Sequence, residues 1–102
     1  MAKTEIMKTL EITGLPVRYG LFNSPIEPPF IVYMGNGQDV TQGDDSYVDT
    51  LNRYRIEYYF IKKSEANEEA IERALLADGW LYEKSEDIYI EDEKIFVIYY
   101  YV

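Results

Sequence analysis

The sequence predicts an α+β fold: a mainly antiparallel sheet of about five or six strands, with a short N-terminal helix and one longer helix packed on one face. Two observations support this prediction. Strand-like apolar segments outnumber segments with helical periodicity. Two helices are also too few to connect every strand pair, as a parallel sheet would require. The 102 residues correspond to one domain by length.

Two segments have the signals of helices. Residues 4–13 place apolar side chains at helical spacing after Thr4, which can act as an N-cap. Residues 64–78 begin at Ser64, a favourable N-cap, and carry acidic residues in the first turn. The apolar stripe of this second helix includes Ile71 and Leu75, which we expect to face the sheet opposite Tyr54 or Tyr58.

The strands are predicted from alternating or continuous apolar residues. The clearest alternation lies in residues 52–63, where Tyr54, Ile56, Tyr58 and Phe60 share one face. The last strand is apolar on both faces, and a large bare apolar patch is rare on a monomer. We therefore expect a partner subunit to cover its second face. The predicted strands are 17–22, 30–34, 52–63, 80–82, 87–90 and 94–102.

Residues 35–45 predict a mobile loop, because nothing in this stretch could anchor it in a core. Its glycines lack the spacing of a phosphate-binding loop. Its acidic residues, with Asp49, could bind a cation weakly, but their spacing does not fit an EF-hand and a solvated loop is favoured. The residues that define the loop are Gly35, Gly37, Asp39, Gly43, Asp44 and Asp45.

Composition excludes several classes of function. The chain has no histidine and no cysteine, so it cannot form a nucleophile–histidine pair or use thiol chemistry. We predict that it is not an enzyme and has no cofactor and no metal site. The net charge of −9 and the scattered basic residues oppose specific nucleic-acid binding. Neither a signal peptide nor an apolar run of about 20 residues is evident, so no membrane association is expected.

The chain contains eleven tyrosines, and two interpretations of them remain open. Tyrosine is enriched at protein–protein interfaces, but it also fills the cores of sheets with wet edges. Trp80 is similarly either a core anchor or part of an interface rim. The candidate interface residues are Tyr47, Tyr59, Tyr99, Tyr100, Tyr101 and Trp80.

The order of motifs resembles that of small tail-completion proteins of long-tailed bacteriophages and prophages, and within that group the tail terminators that join tail to head. The resemblance covers most of the chain, and its motifs are structural. They are a short N-terminal helix, the strand Pro28-Pro29-Phe30-Ile31-Val32-Tyr33, a polar loop ending near Tyr47, the strand Tyr54-x-Ile56-Glu57-Tyr58-Tyr59, the acidic helix Glu68-Glu69-x-Ile71-Glu72-x-x-Leu75, and Tyr89-Ile90-x-x-Glu93-Lys94 before a final aromatic strand.

The resemblance implies a subunit that forms a ring, commonly six-fold, which caps the tail tube and docks on the head connector. The expected location is the bacterial host cytoplasm during assembly and then the virion tail. The family has no catalytic residues to transfer. The alternative is a small adaptor or regulatory module that binds a protein or peptide through its sheet edge.

Overall fold

The computed structural model describes residues 5–42 and 48–102. Thr4, the loop residues 43–45 and Tyr47 lie outside these ranges. The α+β prediction is confirmed, with a short N-terminal helix, a longer second helix and a mostly antiparallel six-stranded sheet. The elements are α1 (Ile6–Glu11), β1 (Val17–Tyr19), β2 (Phe30–Gln42), β3 (Val48–Phe60), α2 (Glu65–Ala77), β4 (Glu83–Lys84), β5 (Ile88–Ile90) and β6 (Ile95–Tyr101).

The sheet has the strand order β1-β2-β3-β6-β4, and β5 pairs with β6 as well. Only β1 runs parallel to its neighbour, β2. Ser85 joins β4 to β5 along the edge of β6, where its backbone N–H donates to the carbonyl of Tyr99 and its hydroxyl accepts from the Tyr99 N–H, both at 2.9 Å. The 83–90 segment therefore covers the edge of β6.

Both helices pack on one face of the sheet, which we call the helical face. Ser64 caps α2 as predicted, with its side chain accepting a hydrogen bond from the backbone N–H of Asn67. Ile71 and Leu75 are fully buried in one cluster with Tyr58. The apolar stripe of α2 therefore faces the sheet, as the sequence predicted.

The other face of the sheet, the outer face, is partly covered by the chain itself. Ile95 and Val97 of β6 are buried. In the segment between β1 and β2, Phe22 packs edge-on against Phe30 with ring centroids 5.3 Å apart. Ile95 and Val97 therefore need no partner subunit to cover them, because this segment and the neighbouring strands already bury them. Cover of the rest of this face by a partner subunit stays a prediction.

The predicted loop over residues 35–45 is also corrected, because residues 35–42 belong to β2. They pair with residues 48–54 of β3 in a long antiparallel ribbon, interrupted by a bulge between Gly35 and Gln38. Gly37 has a φ of 87°, a conformation that glycine adopts at low cost. Backbone pairing can form this ribbon without core anchors, so the absence of apolar residues did not indicate a loop.

The described ribbon residues 35–42 and 48–53, called the arm below, extend beyond the helices. The radius of gyration is 15.1 Å, whereas a compact domain of this length has about 13 Å. The molecule measures 52 × 26 × 25 Å along its principal axes. These dimensions fit a compact body with one elongated projection.

Replacing Leu75 with alanine should destabilise the protein by about 2–5 kcal/mol, because the side chain is 0% exposed and its loss leaves a cavity. Leu76 is 52% exposed on the same helix, so Leu76→Ala should change stability by about 0.5 kcal/mol or less. Urea unfolding of both variants measures the difference. Equal losses would contradict the packing of α2.

Candidate assembly interface

The outer face brings together a group of aromatic and charged side chains near the base of the arm. The strand register places Glu57 opposite Tyr99 and Arg55 opposite Tyr101. In the neighbouring strand β2, Met34 lies opposite Arg55. Because alternate residues of a strand share a face, these side chains form one surface. We call it the tyrosine face and define it as Met34, Arg55, Glu57, Tyr59, Tyr99 and Tyr101.

Glu57 is the charged centre of the tyrosine face and is only 7% exposed. The Tyr59 hydroxyl donates to its Oε1 at 2.7 Å, and the Arg55 Nε donates to its Oε2 at 2.9 Å. A buried carboxylate needs such partners, since an unpaired one costs several kcal/mol. Burial and the bond to Glu57 raise the pKa of Tyr59, so its hydroxyl remains a donor at neutral pH.

Arg55 connects Glu57 to the aromatic part of the same surface. Its guanidinium lies 5.8 Å from the centroid of the Tyr99 ring, within the range of a cation–π contact. The Tyr99 and Tyr101 rings stack with centroids 6.2 Å apart. Tyr99 is half-buried and Tyr101 is exposed. Tyrosine, arginine and methionine are the residue types enriched at protein interfaces.

The six predicted interface residues do not form one group. Tyr59, Tyr99 and Tyr101 lie on the tyrosine face, and Tyr47 lies outside the described residues. Tyr100 is 0% and Trp80 is 4% exposed, so neither offers surface to a partner. Trp80 packs edge-on against Tyr54 with centroids 5.8 Å apart. For these two residues, the interpretation as core residues is correct.

Tyr100 is held by an ion cluster between α2 and the edge of the sheet. Its hydroxyl donates to Glu72 Oε2 at 2.7 Å. Lys84 Nζ lies 2.8 Å from the same Glu72 oxygen and 2.9 Å from Glu68 Oε1. Lys63 Nζ lies 2.7 Å from Glu68 Oε2, an electrostatic contact rather than an aligned hydrogen bond. Because Glu68 is buried, removing either lysine would leave an incompletely paired charge.

The arm offers unpaired backbone rather than a side-chain pocket. On one side β1 pairs with β2 only as far as Tyr33. On the other, the pairing of β3 with the C-terminal segment ends at Tyr54, which exchanges hydrogen bonds with Val102. No strand in the described part of the chain pairs with the outer edges beyond these points. Such edges are ready templates for pairing with another chain.

The acidic residues considered for a cation site are separated by the arm pairing. Asp39 forms a 3.1 Å ion pair with Arg53, and Asp49 lies opposite Thr41. Asp44 and Asp45 lie outside the described residues. Within residues 5–42 and 48–102, no group of three or more acidic side chains is arranged to hold a metal ion. In the same ranges, no helix is long and apolar enough to cross a membrane.

No model of a protein family matches the sequence, and no curated protein matches it at a significant level.

Glu57 was not predicted from the sequence as the centre of the tyrosine face. A signal was present, because Arg55, Glu57 and Tyr59 alternate on the polar side of β3. Opposite charges two residues apart on a strand lie on the same face, where they can form an ion pair. Such a pair allows a charged side chain to be buried when another segment covers that face. The sequence does not show which segment covers them, so it could not predict the burial of Glu57.

Replacing Tyr59 with phenylalanine should cost about 1–3 kcal/mol, because it removes one donor from the buried Glu57 carboxylate. Tyr89→Phe is the matched control, since Tyr89 is exposed and should change stability by less than about 0.5 kcal/mol. Chemical denaturation measures both. If Tyr59→Phe is as mild as its control, Glu57 does not depend on the tyrosine hydroxyl.

Stability should fall at alkaline pH. Burial raises the pKa of Tyr58 and Tyr100 above the ordinary value of 10.0. Burial opposes the charged form of Lys84, but bonds to Glu72 and Glu68 outweigh it and raise the pKa of Lys84 above 10.5. The folded state therefore retains protons that the unfolded chain loses.

The stabilisation from these groups is complete below the unfolded pKa values and is lost as pH rises through the folded ones. Urea melts at increasing pH should show a declining free energy of unfolding above about pH 10. Tyrosine absorbance should show ionisation coincident with unfolding. The raised pKa values of Tyr58, Tyr100 and Lys84 would be contradicted if the free energy of unfolding stayed constant through this pH range while the tyrosines titrated normally in the folded state.

Proposed function

We propose that the protein is a structural assembly subunit that forms a ring and acts as a tail-completion or tail terminator protein at the tail–head junction of a bacteriophage. The observation that carries self-assembly is the projecting arm, whose two outer backbone edges have no strand partner within the described chain. The resemblance of the sequence motifs supplies the phage setting.

The distribution of charge supports contact through the arm. A chain with a net charge of −9 repels its own copies over most of its surface. The described arm residues carry only three charged side chains, Asp39, Asp49 and Arg53, and two of these neutralise each other. The exposed Val40 and Val48, at 60% and 54%, add apolar surface. The sequence that joins the two arm strands adds Asp44 and Asp45, so the low repulsion between copies applies to the paired strands and not to the residues between them.

A ring requires a heterologous contact, in which one patch meets a different patch on the next copy. The arm and the tyrosine face supply two different patches on one subunit. In our proposal the arm of one copy lies against the tyrosine face of the next. The aromatic side chains and Arg55 would then provide the anchors that dominate interface energetics.

The partners implied by this function are other copies of the chain, the tail-tube protein and the head connector. A hexamer is the proposed ring. The protein would assemble in the cytoplasm of the bacterial host and remain in the virion tail. It would act without a catalytic centre and without a cofactor, and it would bind no specific nucleic acid.

The second candidate is an adaptor that binds a protein or peptide by adding a strand to its sheet edge. The same free edges of β2 and β3 favour this candidate, since an extended peptide can pair with either. The two functions differ in self-association. An adaptor stays monomeric and binds a foreign strand, whereas a ring subunit binds its own copies, on its own or on a tail-tube template.

Replacing Val40 or Val48 with lysine should block self-assembly without unfolding the subunit. Both side chains are exposed on the arm. A lysine there would place an unpaired charge in the contact with the tyrosine face of the next copy, and it would also oppose pairing along the arm edges. Light scattering across a wide concentration range, with and without tail-tube protein, should show oligomers for the original chain and monomers for the variants. Thermal melts should coincide for all three proteins.

The matched control is Ile12→Lys, which adds the same charge at another exposed apolar position outside the arm. This variant should assemble normally. The ring proposal fails if the original chain stays monomeric under every condition, tail tubes included. Binding of an extended peptide by that monomer would instead support the adaptor function.

A further inference from the structure

A pocket of about 680 Å³ lies on the outer face between the sheet and the segment that joins β1 to β2. This volume is within the usual range for ligand sites, about 300–1,000 Å³. Residues 20–26 and Pro28 form one side, and side chains of β2, β3 and β6 form the other. The pocket borders the tyrosine face, with which it shares Glu57 and Tyr59, but it does not include the arm.

Aromatic rings form much of the pocket lining. Phe30 stacks on Tyr59 with centroids 5.1 Å apart and an interplanar angle of 24°. Phe22 meets Phe30 at 80°, so the pocket has ring surfaces in two orientations. Aromatic faces attract cations through their quadrupoles. The Phe22 ring already has such a contact, because the guanidinium of Arg18 lies 5.6 Å from its centroid, so Phe30 and Tyr59 are the rings left for a ligand.

The pocket lining has one carboxylate that the chain leaves uncompensated. Glu57 and Glu93 both line it, and none of its described lining residues is a lysine or an arginine. Glu57 is already paired with Arg55. Glu93, in the turn between β5 and β6, is exposed and has no ion-pair partner among the described residues. It is therefore the charge left for a ligand.

We propose that this pocket binds a basic side chain of a partner protein, presented on a short segment with apolar residues on each side of the basic one. The rings of Phe30 and Tyr59 and the carboxylate of Glu93 would receive the cation. The exposed Leu21 and Ile61 at the pocket lining would contact the flanking apolar residues. This site goes beyond the proposed assembly function, because Leu21, Ile61 and Glu93 lie outside both the arm and the tyrosine face.

The two exposed aliphatic side chains favour a protein segment over a free amine. A small cation would be enclosed by the rings and Glu93 alone and would leave Leu21 and Ile61 in water. A segment of several residues buries them and gains hydrophobic free energy as well. The net charge of −9 also attracts a basic partner at long range.

The test is a nuclear magnetic resonance titration of the ¹⁵N-labelled protein with a capped tripeptide of leucine, arginine and leucine. The reference peptide has glutamine in place of arginine. At millimolar concentration the arginine peptide should cause saturable shifts confined to the amides of residues 20–26, 57–61 and 93. The glutamine peptide should bind about three- to tenfold more weakly, as expected for the loss of one cation–π and one exposed ionic contact.

Glu93→Gln should weaken the arginine peptide by a similar factor, whereas Glu91→Gln should not. The control removes the same charge from the same turn but lies outside the pocket lining. Leu21→Ser should weaken both peptides equally. The proposal is overturned if no pocket amide shifts, if the two peptides bind alike, or if both glutamate variants lose affinity equally. Assembly of Glu93→Gln, followed by light scattering, is expected to be unchanged, which separates this site from the ring contact.

Discussion

The pairing register of β3 is the constraint on which the rest of the structure depends. This strand lies between β2 and β6 and sets Ile56 opposite both Tyr33 and Tyr100. A shift by one residue would turn every β3 side chain to the opposite face. It would place Glu57 among the apolar residues under α2 and expose Tyr58. The free-energy cost of burying Glu57 there and exposing Tyr58 favours the observed register. The register in turn determines which side chains lie on each face of the sheet.

That register gives the two faces different chemistry. On the helical face, Ile71 and Leu75 close an apolar core, and the polar hydroxyl of Tyr100 reaches Glu72 at its margin. On the outer face, Glu57 is buried among aromatic rings and is neutralised within its own strand. Buried polar groups of this kind are stable only when their partners are in place. The tyrosines therefore serve as core residues on one face and as surface on the other.

Hydrophobic periodicity predicted the elements that bury apolar stripes. The α+β class, the capping of α2 by Ser64 and the inward side of β3 follow from residue spacing alone. The arm was missed because its stability comes from backbone pairing between polar strands, which leaves no apolar period to detect. The ion cluster was missed for another reason. Lys84 and Glu68 are 16 residues apart, and only the tertiary fold brings them together.

Two of the predicted interface residues, Tyr100 and Trp80, are buried instead. The number of tyrosines in a sequence does not show which face of the sheet each one lies on. In β6 the alternation of side chains places Tyr100 in the core and Tyr99 and Tyr101 on the outer face. Once the register is known, the count of candidate surface tyrosines falls and those that remain form a contiguous group.

A two-stranded ribbon is marginal in water by itself, and among the described arm residues only Leu51 packs against the hydrophobic core. Beyond the level of Leu51, an isolated folded domain gains little from extending β2 and β3, and it exposes two backbone edges that invite unwanted pairing. The described strands of the arm contain no lysine, a residue that on an edge strand opposes pairing with another chain. A projection of this kind is consistent with a segment whose stabilising contacts are made with another molecule, which is the physical basis of the assembly function proposed above.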